Sequence, residues 1–140
     1  MNETMSEVKI KVRIINATDE GLFRRGELEE DLIRSQEVVA IVDTVAATSV
    51  VTPEIARELG LKIIRQERAI YANEYGENVD IAEPIIFQLG ERRCVEEPFV
   101  MGTEVLIGQI PLERMDLVVD CNRQQVVPNP KHPDRPTFRV

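Results

Sequence analysis

The chain has 140 residues, 43% apolar and 30% charged, a balance that supports one folded domain with a real core and excludes a disordered polymer. Its net charge of −8 argues against nucleic acid or an anionic membrane as the main partner. No apolar run approaches a bilayer span, and the acidic start "MNETMSEVKIKV" lacks the basic-then-apolar pattern of a secretory signal, so a cytoplasmic location is expected.

In chain order, "EVKIKVRIINAT" alternates, with Val8, Ile10, Val12 and Ile14 on one face and Lys9, Lys11 and Arg13 on the other, which predicts a half-buried strand. "DEGLFRRGELEEDLIRSQE" carries two glycines and dense mixed charge; it reads as a long connection with room for a short helical turn, and Glu27 to Asp31 as a solvated face. "VVAIVDT" is continuously apolar before Asp43 and predicts a strand covered on both sides. In "TPEIARELG" the helix signals agree: Thr52 as N-cap, Pro53 at the first helical position, Glu54 in the first turn and Gly60 at the stop.

"KIIRQERAIYA" and "NVDIAEPIIFQL" read as strands around a hairpin tip in "NEYGEN". "LGERR" is a turn and "CVEEPFVM" a further strand; "EVLIGQIPLERM" runs from a strand through Gly108 into a short helix. "DLVVD", "CNRQ" and "QVVP" form a closing hairpin, in which Asp116 and Asp120 are ordinary hairpin residues. Residues 131–140 form a Pro-rich tail, read either as an arm in which Phe138 and Val140 reach a partner or as a frayed end. No repeat or linker divides the chain, so a single domain over 1–140 is expected. Many short strands with one or two brief helices predict an all-β fold, a small closed or folded, mostly antiparallel barrel.

Two isolated cysteines, Cys94 and Cys121, are expected to be reduced, buried thiols. The sole histidine, His132, leaves no material for a His-based triad or zinc site and reads as a solvated tail residue.

Asp43 is the anomaly. A carboxylate between two apolar runs is costly unless it is hydrogen-bonded, paired or protonated. "VVAIVDTVAATSVV" resembles the active-site loop of retropepsin-like (clan AA) aspartic peptidases, in which apolar residues precede Asp-Thr/Ser-Gly-Ala. "TPEIARELGL" is similar to the helix following that loop in bacterial and archaeal single-domain members. "YANEYGENVD" is similar to the flap hairpin, and "VLIGQIPLERMDLVVD" to the second signature; the resemblance spans Val38 to Pro130.

The resemblance implies a homodimeric endopeptidase without metal or cofactor, acting on peptides or unfolded proteins. Asp43 would be catalytic and would face its own copy across a two-fold axis. Thr44, Val45 and Ala46 would support the loop, with Thr44 bracing the opposite copy. Leu106, Ile107 and Gly108 would pack beneath it, and Asn73, Glu74, Tyr75 and Gly76 would form the flap over an extended peptide. The chain departs from the pattern at Val45, which stands where the family has glycine. Either the loop tolerates Val45, or the chain is an inactive peptide-binding or dimerisation module, or valine was introduced at this position. A monomeric β domain without a site is the remaining reading.

Overall fold

The computed structural model describes residues 7–140. β1 (Lys9–Asn16) fulfils the alternation: Val12 and Ile14 are buried while Lys9, Lys11 and Arg13 are exposed. It pairs antiparallel with β2 (Ser35–Val42) on one side and β6 (Ile85–Leu89) on the other.

The connection from β1 to β2 holds more helix than its glycines and charges suggest. It forms α1 (Ala17–Arg24) and a 3-10 turn (Glu30–Leu32). Asn16 caps α1, accepting from the Asp19 amide at 3.0 Å, and its Nδ2 donates to Leu59 O at 2.8 Å. The buried Asp19 carboxylate accepts from Arg34 N at 3.0 Å, Nε at 2.8 Å and Nη2 at 3.0 Å. This fork clamps the helix to the residue just before β2. The Arg34 side-chain hydrogen bonds hold the Asp19 carboxyl below its ordinary range, against burial acting the other way.

After β2 come β3 (Val50–Val51), α2 (Pro53–Glu58), β4 (Ile63–Ile70), β5 (Gly76–Ala82), β6, β7 (Arg92–Glu96), β8 (Phe99–Val100), β9 (Val105–Ile107), α3 (Gln109–Arg114), β10 (Leu117–Asp120) and β11 (Gln125–Pro128). α2 begins as expected, with Thr52 Oγ1 accepting from Ile55 N at 3.1 Å, and ends at Gly60, whose φ is 65°. The molecule is mostly β, as expected, but carries three short α-helices rather than one or two. β1 to β9 form one curled sheet in the order β4-β5-β8-β3-β9-β2-β1-β6-β7; β10 and β11 form a separate hairpin. Pairing is mostly antiparallel, with two parallel pairs, β2 with β9 and β3 with β8. None of the α-helices is long and apolar enough to cross a membrane among the described residues.

Local readings change in four places. β2 is not covered on both sides: Val39 is 57% exposed and burial is confined to Ala40 and Ile41 near its end. "NVDIAEPIIFQL" breaks into β5 and β6 at Glu83-Pro84, where proline removes a ladder donor. Likewise, "CVEEPFVM" is two strands, β7 and β8, separated at Glu97-Pro98. Cys94 is buried, its thiol pushed up to about 12 chiefly by burial, whereas Cys121 is exposed, contrary to expectation; both are free.

The core runs through Val12, Ile14, Phe87, Ile107, Leu112 and Met115. The tail is mostly exposed but pinned at His132 and Thr137. His132 Nδ1 lies 2.7 Å from Asp116 Oδ2, and the Asp116 carboxylate also accepts from Asn129 Nδ2 at 3.0 Å and Thr137 N at 3.1 Å. Buried Arg92 donates to the carbonyls of Met115, Asp116 and His132. Asp116 is therefore a clasp with φ 55°, not a plain hairpin residue. Beyond it, Phe138 and Val140 are exposed.

Asp19→Ala is expected to lower stability by about 2 kcal/mol at pH 7, because it removes three hydrogen bonds that a buried carboxylate accepts from Arg34. A carboxyl lowered in the folded state stabilises above its unfolded value, near ~3.9, and that contribution fades as pH falls through the folded value. Urea unfolding of both proteins at pH 7, 5 and 3 should give a difference that shrinks toward pH 3. A constant difference would contradict the clamp.

Candidate active site

Strand order sets the site. β9 lies between β3 and β2, so the segment 43–49 that links β2 to β3 must cross over the end of β9. Parallel pairing of Ala40, Ile41 and Val42 with Val105, Leu106 and Ile107 brings both strands to the same end of the sheet. Asp43 N then donates to Ile107 O at 2.9 Å, continuing the ladder by one bond before the chain turns away.

The loop is held from below by backbone. Gln109 N donates to Ala46 O at 2.8 Å and Ile110 N to Ala47 O at 3.2 Å, so the first amides of α3 meet the loop carbonyls. Gly108 is required by space. A Cβ there would lie 2.7 Å from Ala47 O and 2.8 Å from Ala46 O, and closer still to Thr48 O. Its φ of −82° is open to any residue, so close approach alone demands glycine. Ile107 is fully buried and its carbonyl takes the Asp43 amide, while Leu106 is half-buried and pairs with Val50.

Within the loop, Asp43 is half-buried and its Oδ1 accepts from Val45 N at 3.1 Å and Ala46 N at 3.3 Å. Among the described residues no hydrogen bond falls on Oδ2. Thr44 is exposed and Ala46 half-buried. Val45 is 95% exposed and its φ is not positive, so valine is accommodated without backbone strain within one chain. Any crowding by Val45 must come from a neighbouring molecule.

The β4–β5 hairpin presents its tip slightly earlier than the sequence suggests. Tyr71 O accepts from Glu74 N at 2.8 Å, Tyr71 N donates to Tyr75 O at 2.8 Å, and Glu74 takes the left-handed position with φ 64°. Asn73 Oδ1 accepts from Tyr75 N at 2.9 Å, and the Tyr71 and Tyr75 rings stack with centroids 6.1 Å apart. Gly76 already belongs to β5. The Tyr71 hydroxyl bonds Glu77, so the tip is ordered by its own side chains while its tyrosines remain exposed. The base of β4 shares a groove of about 570 Å³ with the Asp43 loop, through Arg65 and Glu67 on one side and Thr48 on the other. A larger groove, about 730 Å³, lies between β2 and α2, and neither groove includes Asp43 itself.

Three site residues escape sequence reading. Thr48 Oγ1 donates to Glu96 Oε1 at 3.3 Å, and burial pushes the Glu96 carboxyl up while Thr48 and Ser49 beside it oppose the shift. Ser49 is fully buried where the loop enters β3. Only the polar "TS" amid apolar residues hints at Thr48 and Ser49, and nothing in the sequence marks Glu96. Among the described residues, no group of three or more His, Cys, Asp or Glu side chains is arranged to hold a metal ion.

Gly108→Ala is expected to lower stability by about 3 kcal/mol, because three loop carbonyls must shift to admit one methyl group. Urea unfolding measures it, and a change under about 1 kcal/mol would contradict the tight contact.

No family model matches the chain, and no curated protein matches it. Among solved structures it is similar to EIAV protease in complex with the inhibitor HBY-793, at 18% identity over 81% of this chain and 91% of that one, with a TM-score of 0.48.

Proposed function

We propose that the chain is an aspartic endopeptidase that acts as a homodimer, with two Asp43 carboxylates meeting on a two-fold axis. One observation carries the reading: the Asp43 loop is built to present a carboxylate. Its Oδ1 is anchored by two amides of its own loop, no described residue bonds Oδ2, and backbone packing at Gly108 fixes the whole turn. Asp120 receives the equivalent two amides in a plain turn, so what sets Asp43 apart is the packing of the Ala46, Ala47 and Thr48 carbonyls on Gly108 beneath its loop. Only one Asp-Thr sequence occurs in the chain, so a pair requires a second copy.

Two carboxylates a few ångströms apart cannot both ionise cheaply, and they share one proton. The ionised member takes a proton from a bound water as that water attacks the peptide carbonyl, while the protonated member hydrogen-bonds the carbonyl oxygen. Activity needs one proton on the pair, so it declines when pH is low enough to protonate both or high enough to ionise both. On this reading Thr44, exposed in the single chain, bonds the opposite loop, and the β4–β5 hairpin, with Tyr75 at its tip, closes over an extended peptide.

A second reading, a non-catalytic peptide-binding or dimerisation module, is favoured by Val45. Its exposed side chain follows Asp43-Thr44, where two copies would bring two branched side chains toward the axis.

Asp43→Asn keeps an oxygen for the two loop amides, so the dimer should persist while cleavage of an unfolded protein falls about a thousandfold or more. Cleavage at mildly acidic pH, with mass by light scattering, tests both halves; a variant as active as the parent would refute the assignment. Val45→Gly is expected to raise kcat about tenfold by relieving crowding. No cleavage by either protein at any pH, together with retained peptide binding, would establish the second reading.

A further inference from the structure

The groove between the Asp43 loop and the base of β4 is unusual in its charge. Its floor is apolar, with Ile81 and Phe99, and its rim is acidic. Arg65 is the guanidinium of that groove and is already committed, to Glu67 at 3.1 Å and to Glu97 at 2.9 Å. Glu96 is different. It is half-buried at the groove wall, held by Thr48 Oγ1, and makes no ion pair within 4 Å among the described residues. A half-buried carboxylate with no cation in direct contact is costly; burial pushes this carboxyl up, opposed by hydrogen bonds from Thr48 and Ser49 and by the more distant charge of Arg114.

The groove also abuts the candidate active-site loop at Thr48, without including Asp43 itself. Thr48 belongs to the same loop as Asp43, and β4 leads to the hairpin tip. A peptide lying along the loop under the hairpin would send one side chain into this space. We propose that this groove is a specificity subsite that takes a lysine or arginine side chain of the substrate peptide, with Glu96 as its counter-charge. The long methylene stem would lie along Ile81 and Phe99 while the cationic head reaches Glu96. An acidic side chain is rejected by Glu96, and Arg65 is not free to receive it. A short apolar side chain leaves the carboxylate unpaired. This inference rests on the peptidase or peptide-binding reading of the Asp43 site.

The test uses the 140-residue protein and a peptide library randomised on both sides of one scissile bond. At one position lysine or arginine should be preferred over norleucine by about tenfold, and Glu96→Gln should remove that preference. Glu96→Asp should retain part of it, which a merely structural role for Glu96 would not predict. Cleavage without a basic preference, or a preference unchanged in Glu96→Gln, overturns the subsite while leaving the peptidase reading intact. If the parent does not cleave, fluorescence anisotropy with peptides differing only in lysine or norleucine makes the same comparison, and equal binding overturns the subsite. Neither cleavage nor binding of any peptide overturns the underlying reading and the subsite with it.

Discussion

At position 108 the carbonyl oxygens of Ala46, Ala47 and Thr48 leave room for a hydrogen atom and nothing larger. This contact of backbone on backbone governs the rest. Because β9 runs between β2 and β3, the loop that joins those strands must pass over it, and the loop can come down only where the chain beneath has no side chain. Once seated, the loop receives two amides from the start of α3, and Asp43 gains a fixed orientation from its own amides. Free energy that would otherwise go to ordering a flexible turn in a complex is supplied by folding.

Secondary polar clamps serve the same end. Asn16 ties α1 to the end of α2, and Asp19 ties α1 to Arg34, so β2 starts from a fixed point. Across the molecule, Arg92 and Asp116 hold the tail against the end of α3. β2 and α3 are therefore each anchored at the end away from the loop, and the elements that carry the loop are braced at both ends. The hairpin tip, by contrast, is held by hydrogen bonds among its own residues and stands exposed.

Much of this was legible locally. The alternation of β1, the Thr52-Pro53 start of α2 and the Gly108 break after "VLI" each rest on neighbours in sequence, where period and backbone preference act. Asp43 stood out because charge between apolar runs violates a local rule. What was hidden depends on distant partners. α1 was obscured by its glycine and charges, and its stability comes from Arg34, which is 15 positions beyond Asp19. His132 and Cys121 were misjudged because burial at a chain end or turn is decided by what packs there, not by residue type. The breaks at Pro84 and Pro98 were readable in principle, since proline cannot donate to a ladder, but apolar continuity outweighed the signal. Glu96 carried no sequence signal, because its role arises from Thr48, which is 48 positions away.

The central claim is one of symmetry: a single exposed loop becomes a site only when joined by its twin. Native mass spectrometry with a statine-type peptide inhibitor counts this directly. The account predicts one inhibitor bound per two chains, with no complex of one inhibitor and one chain. A one-to-one complex on a monomer, or two inhibitors on a dimer, would mean that each Asp43 works alone and would contradict it.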